Sequence, residues 1–294
     1  VNPGSFDASG NYTPKAGEIL RAWNPIGYGI NHDNTSIVFN GTFDGNNHTI
    51  SNLWVTGNGN IGFFNQLADQ SENVTGTVKN VTFENAKVSG YLNVGVVAGT
   101  PYTSKYTNVK VTGHVEVNGM AYVGGVGGKN AYANWTNITV NVDETSYVNA
   151  NSVENGVAYR TYVGGVVGFM GEGGHTMRNV TSNIDVKGST IDVGGIVGIA
   201  HYGNNFVNVT CTGDVEIYNA SEEAEAQQIG GIAGVWNNNT LEALLNYQKW
   251  TNSSIKIMNA LQKLKDMCHN TKELDNALSS IEKVTEETVR QMEK

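Results

Sequence analysis

Up to about residue 236, apolar residues recur at every second position in short bursts. Val109, Val111, Val115 and Val117 form one burst, and Val180, Ile184 and Val186 another. Alternation of this kind turns one side of a strand toward a core and leaves the other to solvent. Each burst opens on an asparagine: Asn80-Val-Thr-Phe, Asn108-Val-Lys-Val, Asn137-Ile-Thr-Val, Asn179-Val-Thr-Ser and Asn208-Val-Thr-Cys. Asparagine suits a turn there, because it tolerates the left-handed conformation and bonds its own backbone. Stacked copies could also form a side-chain ladder.

A second, glycine-rich strand element alternates with the first. It reads Val94-Gly-Val-Val-Ala-Gly99, Val123-Gly-Gly-Val-Gly-Gly128, Val163-Gly-Gly-Val-Val-Gly168, Val193-Gly-Gly-Ile-Val-Gly198 and Ile229-Gly-Gly-Ile-Ala-Gly234. Consecutive copies start 29, 40, 30 and 36 residues apart, a period that signals a stacked array. One such unit cannot bury its apolar face alone, so coil must stack on coil. The pattern predicts an all-β, right-handed parallel β-helix, its hand following the general crossover preference. A glycine pair inside a strand marks a bend, a bulge or the close approach of another backbone, here a corner of the coil. Polar Gly/Asn stretches separate the two strand elements, and extra residues after Val140 and Ile217 are expected to protrude as loops.

Ahead of the array stand Trp23-Asn-Pro-Ile-Gly27 and the Phe39–Leu53 segment containing Gly41-Thr-Phe-Asp-Gly-Asn46, with Ile61-Gly-Phe-Phe64 as a degenerate first copy. Together these motifs resemble the bacterial GLUG-repeat proteins. In that family a Val-Gly-Gly-Leu-Val-Gly motif recurs, commonly preceded by Trp-x-Pro-Ile-Gly and Gly-Thr-Phe-Asp-Gly-Asn. The resemblance covers roughly residues 20 to 236 and departs from the pattern at Val96 and Gly127. It implies a surface or secreted β-helix and no particular activity.

Beyond Asn237–Asn239 the glycines give way to Leu, Lys, Glu and Met, so residues 1–236 are assigned to the β-helix and 237–294 to an α-helical tail. Thr240, Ser253 or Ser254, and Asn270 or Thr271 could cap three helices. In the last of these, Leu274, Leu278, Ile281, Thr285, Thr288 and Met292 step by four and three, as in a coiled coil. Two readings compete: the helices pack on their own chain as a hairpin or cap, or residues 240–294 join copies into a homo-oligomer.

Composition narrows the chemistry. With 36 Gly, only 4 Pro and 15% charged residues, the chain is a turn-rich β protein. Its net charge of −9 and scattered Lys and Arg offer no stripe for nucleic acid. Neither a membrane span nor a charged-then-apolar leader at Val1 is read from the sequence. Cys211 and Cys268 suggest neither a disulfide framework nor a zinc site. His32, His48, His114, His175, His201 and His269 show no paired spacing, and neither metal nor cofactor is expected. Asp185, Asp192, Asp214, Glu116 and Glu216 are the available carboxylates. Glu116 and Glu216 are read as ordinary outward polars in strands, so no catalytic residue is assigned. Gly171–Gly174 lacks the Lys-Ser/Thr ending of a phosphate loop and is read as a turn. Sequons such as Asn137-Ile-Thr coincide with the turn element, which accounts for them.

Aromatics are more suggestive. Seven to nine residues from the start of each glycine motif come Tyr102, Tyr132, Met170, Tyr202 and Trp236, an approximate row on stacked coils. Exposed rings bind sugars by stacking on their apolar faces, whereas buried rings merely seal neighbouring coils. Tyr102, Tyr132, Tyr202 and Trp236 are the candidate ligand-binding residues, with Tyr122 and Tyr162 as a second, shorter pair. The expectation is a non-enzymatic cell-surface or secreted adhesin whose partners are glycans or host and neighbour-cell proteins. The alternatives are a phage fibre or spike in a virion and, third, a polysaccharide-active enzyme.

Overall fold

The computed structural model describes residues 4–6, 12–14, 22–27, 38–68, 75–130, 132–151, 153–154, 157–158, 161–171, 175–189, 192–201, 203–218 and 228–236. Residues 237–294, read from the sequence as an α-helical tail, lie outside them, as do Tyr202 and residues 219–227, which hold most of the extra segment expected after Ile217. The chain divides into two units, Val1–Asn238 and Asn239–Lys294.

The described residues of the first unit form an all-β parallel solenoid. Two six-stranded sheets hold the short strands of the glycine motifs, and a nine-stranded sheet holds the long strands. In the first short sheet Ile61, Val94, Val123, Val163, Val193 and Ile229 lie in one register column. Ile61-Gly-Phe-Phe64 is therefore a sixth copy of the motif. The lead-in segments pair with it through Ile26–Phe64 and Phe39–Leu67 bridges. Trp23 stacks on Phe63 at 4.8 Å and donates its indole N–H to the Phe63 carbonyl at 3.0 Å.

The long strands extend further than the alternation after each asparagine suggested. Thr103–Gly119 starts five residues before Asn108 and runs through it, occupying part of what the sequence presented as a polar Gly/Asn stretch. Its inward residues there, Ser104 and Tyr106, escape an aliphatic count, yet Tyr106 stacks on Trp135 at 4.1 Å and both are fully buried. Asn108 bends the strand with φ 54°, and the alternation changes phase across it, from Tyr106 to Val109 as successive inward residues. Asn80, Asn137, Asn179 and Asn208 repeat that conformation at φ 53–55°. Their amides form a ladder: Nδ2 of Asn108, Asn137, Asn179 and Asn208 donates to Oδ1 of the asparagine one coil earlier at 2.9–3.0 Å. The sequon nitrogens of Asn137, Asn179 and Asn208 are thus occupied structurally.

Inward Val109, Val111, Val115, Val117, Val180, Ile184 and Val186 are fully buried, each contributing about 1.5–3 kcal/mol by removal from water. The first extra segment lies elsewhere than after Val140. Its strand continues to Val142, and the added length falls mainly between Ala150 and Tyr162, where Val153–Glu154 pairs antiparallel with Val157–Ala158. Parallel pairing of Ala150 with Gly119 and of Tyr162 with Tyr122 is kept on either side, so the core register absorbs nothing.

Candidate functional site

The glycine motif folds back on itself as two arms packed backbone to backbone. A Cβ on Gly128, Gly168 or Gly234 would lie 2.5–2.6 Å from the amide N of Val94, Val123 or Val193, the first motif residue one coil earlier. No side chain fits between the arms. None of these motif glycines has a positive φ, so space and not dihedral freedom excludes other residues. With the arms this close, the residues flanking the six letters meet across them. Asn93 donates to Thr100 Oγ1 at 3.1 Å, the Lys129 ammonium lies 5.1 Å from the Tyr122 ring centre, and Tyr162 meets Phe169 edge-on at 6.0 Å.

Stacking coils turns these pairs into a surface cluster. The Tyr122 and Tyr162 rings are parallel within 3° at 4.9 Å, and Phe169 stands edge-on to Tyr122 at 5.6 Å. Lys129 also approaches Phe169 at 5.8 Å, and His201 packs on Phe169 at 5.1 Å. All five side chains are half-buried. Tyr122 and Tyr162 belonged to the shorter pair read from the sequence, whereas Lys129 and Phe169 went unnoticed and His201 was weighed only for a paired histidine spacing. The usable signal was the place of Lys129 and Phe169 directly after the motif, and of His201 two residues further.

The longer aromatic row divides. Tyr102 and Tyr132 do adjoin, edge-on at 5.6 Å, with His175 as a third member 5.5 Å from Tyr132. Met170 is fully buried and sits in the column of Asn130 and Ala200. Trp236 pairs with Ala200 and so joins that same column by register, away from Tyr102 and Tyr132. Offsets of seven to nine residues mix neighbouring columns, because strand side chains alternate.

A second cluster corrects the reading of Glu116. That residue is only 6% exposed and forms an ion pair with Lys87 at 2.8 Å. His114, 7% exposed, places Nε2 3.2 Å from Glu116 and Nδ1 3.2 Å from Asp143. The partners lie two and 29 residues from His114, a spacing set by the coil length and invisible to a search for local motifs. Asp143 borders a cleft of about 540 Å³ with Asp185 and Asp214. Asp192 is fully buried, and Glu216 is exposed. Among the described residues, no three His, Cys, Asp or Glu are placed to hold a metal ion.

Burial alone would raise the Asp143 carboxyl, but hydrogen bonds from Thr145 and Ser146, with His114 beside it, hold it below the ordinary 3.8. A carboxyl lowered on folding adds stability that is fully present above its unfolded value and is lost as pH falls through the folded one. The contribution of Asp143 to the thermal midpoint should therefore be full and independent of pH near neutrality and be lost as pH falls below about 4. Asp143→Asn should flatten that acid limb; a variant retaining the parent's full acid sensitivity would remove the assignment.

No family model matches the chain. A stretch of 82 residues, 27% of this chain, is 42% identical to Halomucin of Haloquadratum walsbyi and spans 1% of that protein. Among solved structures, a Bacteroides ovatus protein described as a "putative immunoglobulin A1 protease" aligns over 78% of this chain and 76% of its own, at 18% identity and a TM-score of 0.43. At that level of likeness nothing about activity follows.

Proposed function

We propose that this chain is a GLUG-type β-solenoid of the cell surface or secreted medium that binds glycan or protein ligands without transforming them. The observation that carries this reading is the half-buried aromatic surface on and beside the paired arms: Tyr122, Tyr162 and Phe169 in one group, Tyr102 and Tyr132, backed by the buried His175, in the other. A rigid solenoid offers such a surface at fixed spacing. Motif resemblance and the local identity to Halomucin support the surface or secreted placement. On a glycan array and in cell-binding assays, Tyr132→Ala and Tyr162→Ala should each weaken binding at least tenfold while the circular dichroism spectrum is unchanged. Variants that bind like the parent would remove the aromatic surface from the function.

A second reading, a polysaccharide-active enzyme, draws on the carboxylate-lined cleft beside His114 and Asp143. Proton transfer at neutral pH favours a carboxyl raised toward 7, and Asp143 is displaced the other way. Incubation with pectin, alginate and host glycans tests it directly: new reducing ends or unsaturated products would establish an enzyme.

A further inference from the structure

We infer that the cluster of Tyr122, Lys129, Tyr162 and Phe169 recognises the carboxylate of an acidic glycan, which deepens the binding function proposed above and rests on it. Neutral sugars are held by stacking on open ring faces, but here the facing sides of Tyr122 and Tyr162 lie parallel at 4.9 Å and are closed to a ligand. The chemically distinct group in the cluster is the ammonium of Lys129.

Two described lysines on the long sheet have carboxylate partners, Lys79 with Asp44 at 3.1 Å and Lys87 with Glu116 at 2.8 Å. Lys129 has none among the described residues, and its ammonium rests instead against the Tyr122 and Phe169 rings. A cation resting on a ring face near solvent gains less than one that makes a charge-assisted hydrogen bond. The rings therefore position the ammonium while leaving it able to take an anion.

The surroundings favour this too. The chain carries a net charge of −9, yet residues 90–104, 119–132 and 161–171 contain no acidic residue, and Lys129 is their one charged side chain. Asp192, on the next coil, is fully buried. Acidic charge that would repel a carboxylate is thus kept off these arms. Neighbouring coils lie about 4.8 Å apart, of the order of one pyranose unit, so a glycan lying across the arms in the stacking direction can meet successive coils. That match favours a sugar polymer over an acidic peptide.

The test is calorimetric titration of the full chain with oligogalacturonate and with its methyl ester, which keeps the backbone and removes the charge. Polyglutamate serves as a peptidic polyanion. The acid form should bind at least tenfold more tightly than the ester, and Lys129→Met, which keeps the apolar stem, should abolish the difference without changing the melting temperature. Lys129→Arg should retain it. Equal binding of acid and ester, or a preference that survives Lys129→Met, would overturn the inference and leave glycan binding standing. Lys129-dependent binding of polyglutamate at the same affinity would overturn the assignment to a glycan. Binding of neither sugar form would overturn the inference, and the underlying function falls with it only if the glycan array is also blank.

Discussion

Gly168→Ala is expected to destabilise the solenoid by about 3 kcal/mol, the upper end of the usual range for overpacking. The added methyl carbon would sit 2.5 Å from the Val123 amide N and 2.6 Å from the Tyr162 carbonyl oxygen. Both obstacles are backbone, held in parallel ladders on either side, so neither can swing away as a flexible side chain would. The arms must separate or the coil must shift. Gly231→Ala provides the control, since nothing lies within 4 Å of a Cβ there. It belongs to the same motif in the last copy and should be near neutral. Urea unfolding at 25 °C measures both, and equal stability of Gly168→Ala and the parent would contradict backbone-to-backbone packing of the arms.

The second large effect belongs to the ladder. Asn137→Ala forces an alanine to φ 55°, which costs about 1–2 kcal/mol for a residue with a Cβ. It also removes the bond donated to Asn108 and the one accepted from Asn179, both 2.9 Å, each contributing about 0.5–1.5 kcal/mol. A total of about 2–5 kcal/mol is expected. Asn137→Gly restores the dihedral freedom and loses only the bonds, so stability should rank asparagine above glycine above alanine. Alanine as stable as glycine would mean that the left-handed conformation is not what asparagine is there to supply.

Both effects fall on residues whose repetition was readable in the sequence, and the reasons differ. The asparagine column could be read fully, because a left-handed turn and an amide able to both donate and accept are properties of one residue type. The glycines announced close approach without saying to what; only the fold reveals that the neighbour is the first motif residue one coil earlier. Lys129 and Phe169 were missed because their partners, Tyr122 and Tyr162, lie on the other arm, and the reversal between them cannot be read from spacing alone. Glu116 looked solvated because its outward position in the strand is genuine. Its burial comes from His114, Lys87 and Tyr147, contributed by the corner and by two adjacent coils. Met170 shows the opposite error, since its offset from the motif matched the tyrosines while its strand parity turned it into the core.

The asparagine ladder also has a direction. Every side-chain amide passes its N–H toward the amino-terminal end, and the run finishes where Asn80 donates to Asp44 at 3.1 Å. A carboxylate accepts and has no proton to pass on, so Asp44 is a terminator, and the amide of Asn46, the Asn80 side chain and Lys79 keep its carboxyl below the ordinary value. The aligned dipoles present their positive end to that negative charge, as a helix does to an anion at its amino terminus. Between this fixed terminus and Asn208, inserting or deleting a whole coil would leave the chemistry at the start untouched. The length of the solenoid is therefore a quantity that gene duplication can change without redesigning either the ladder or its end.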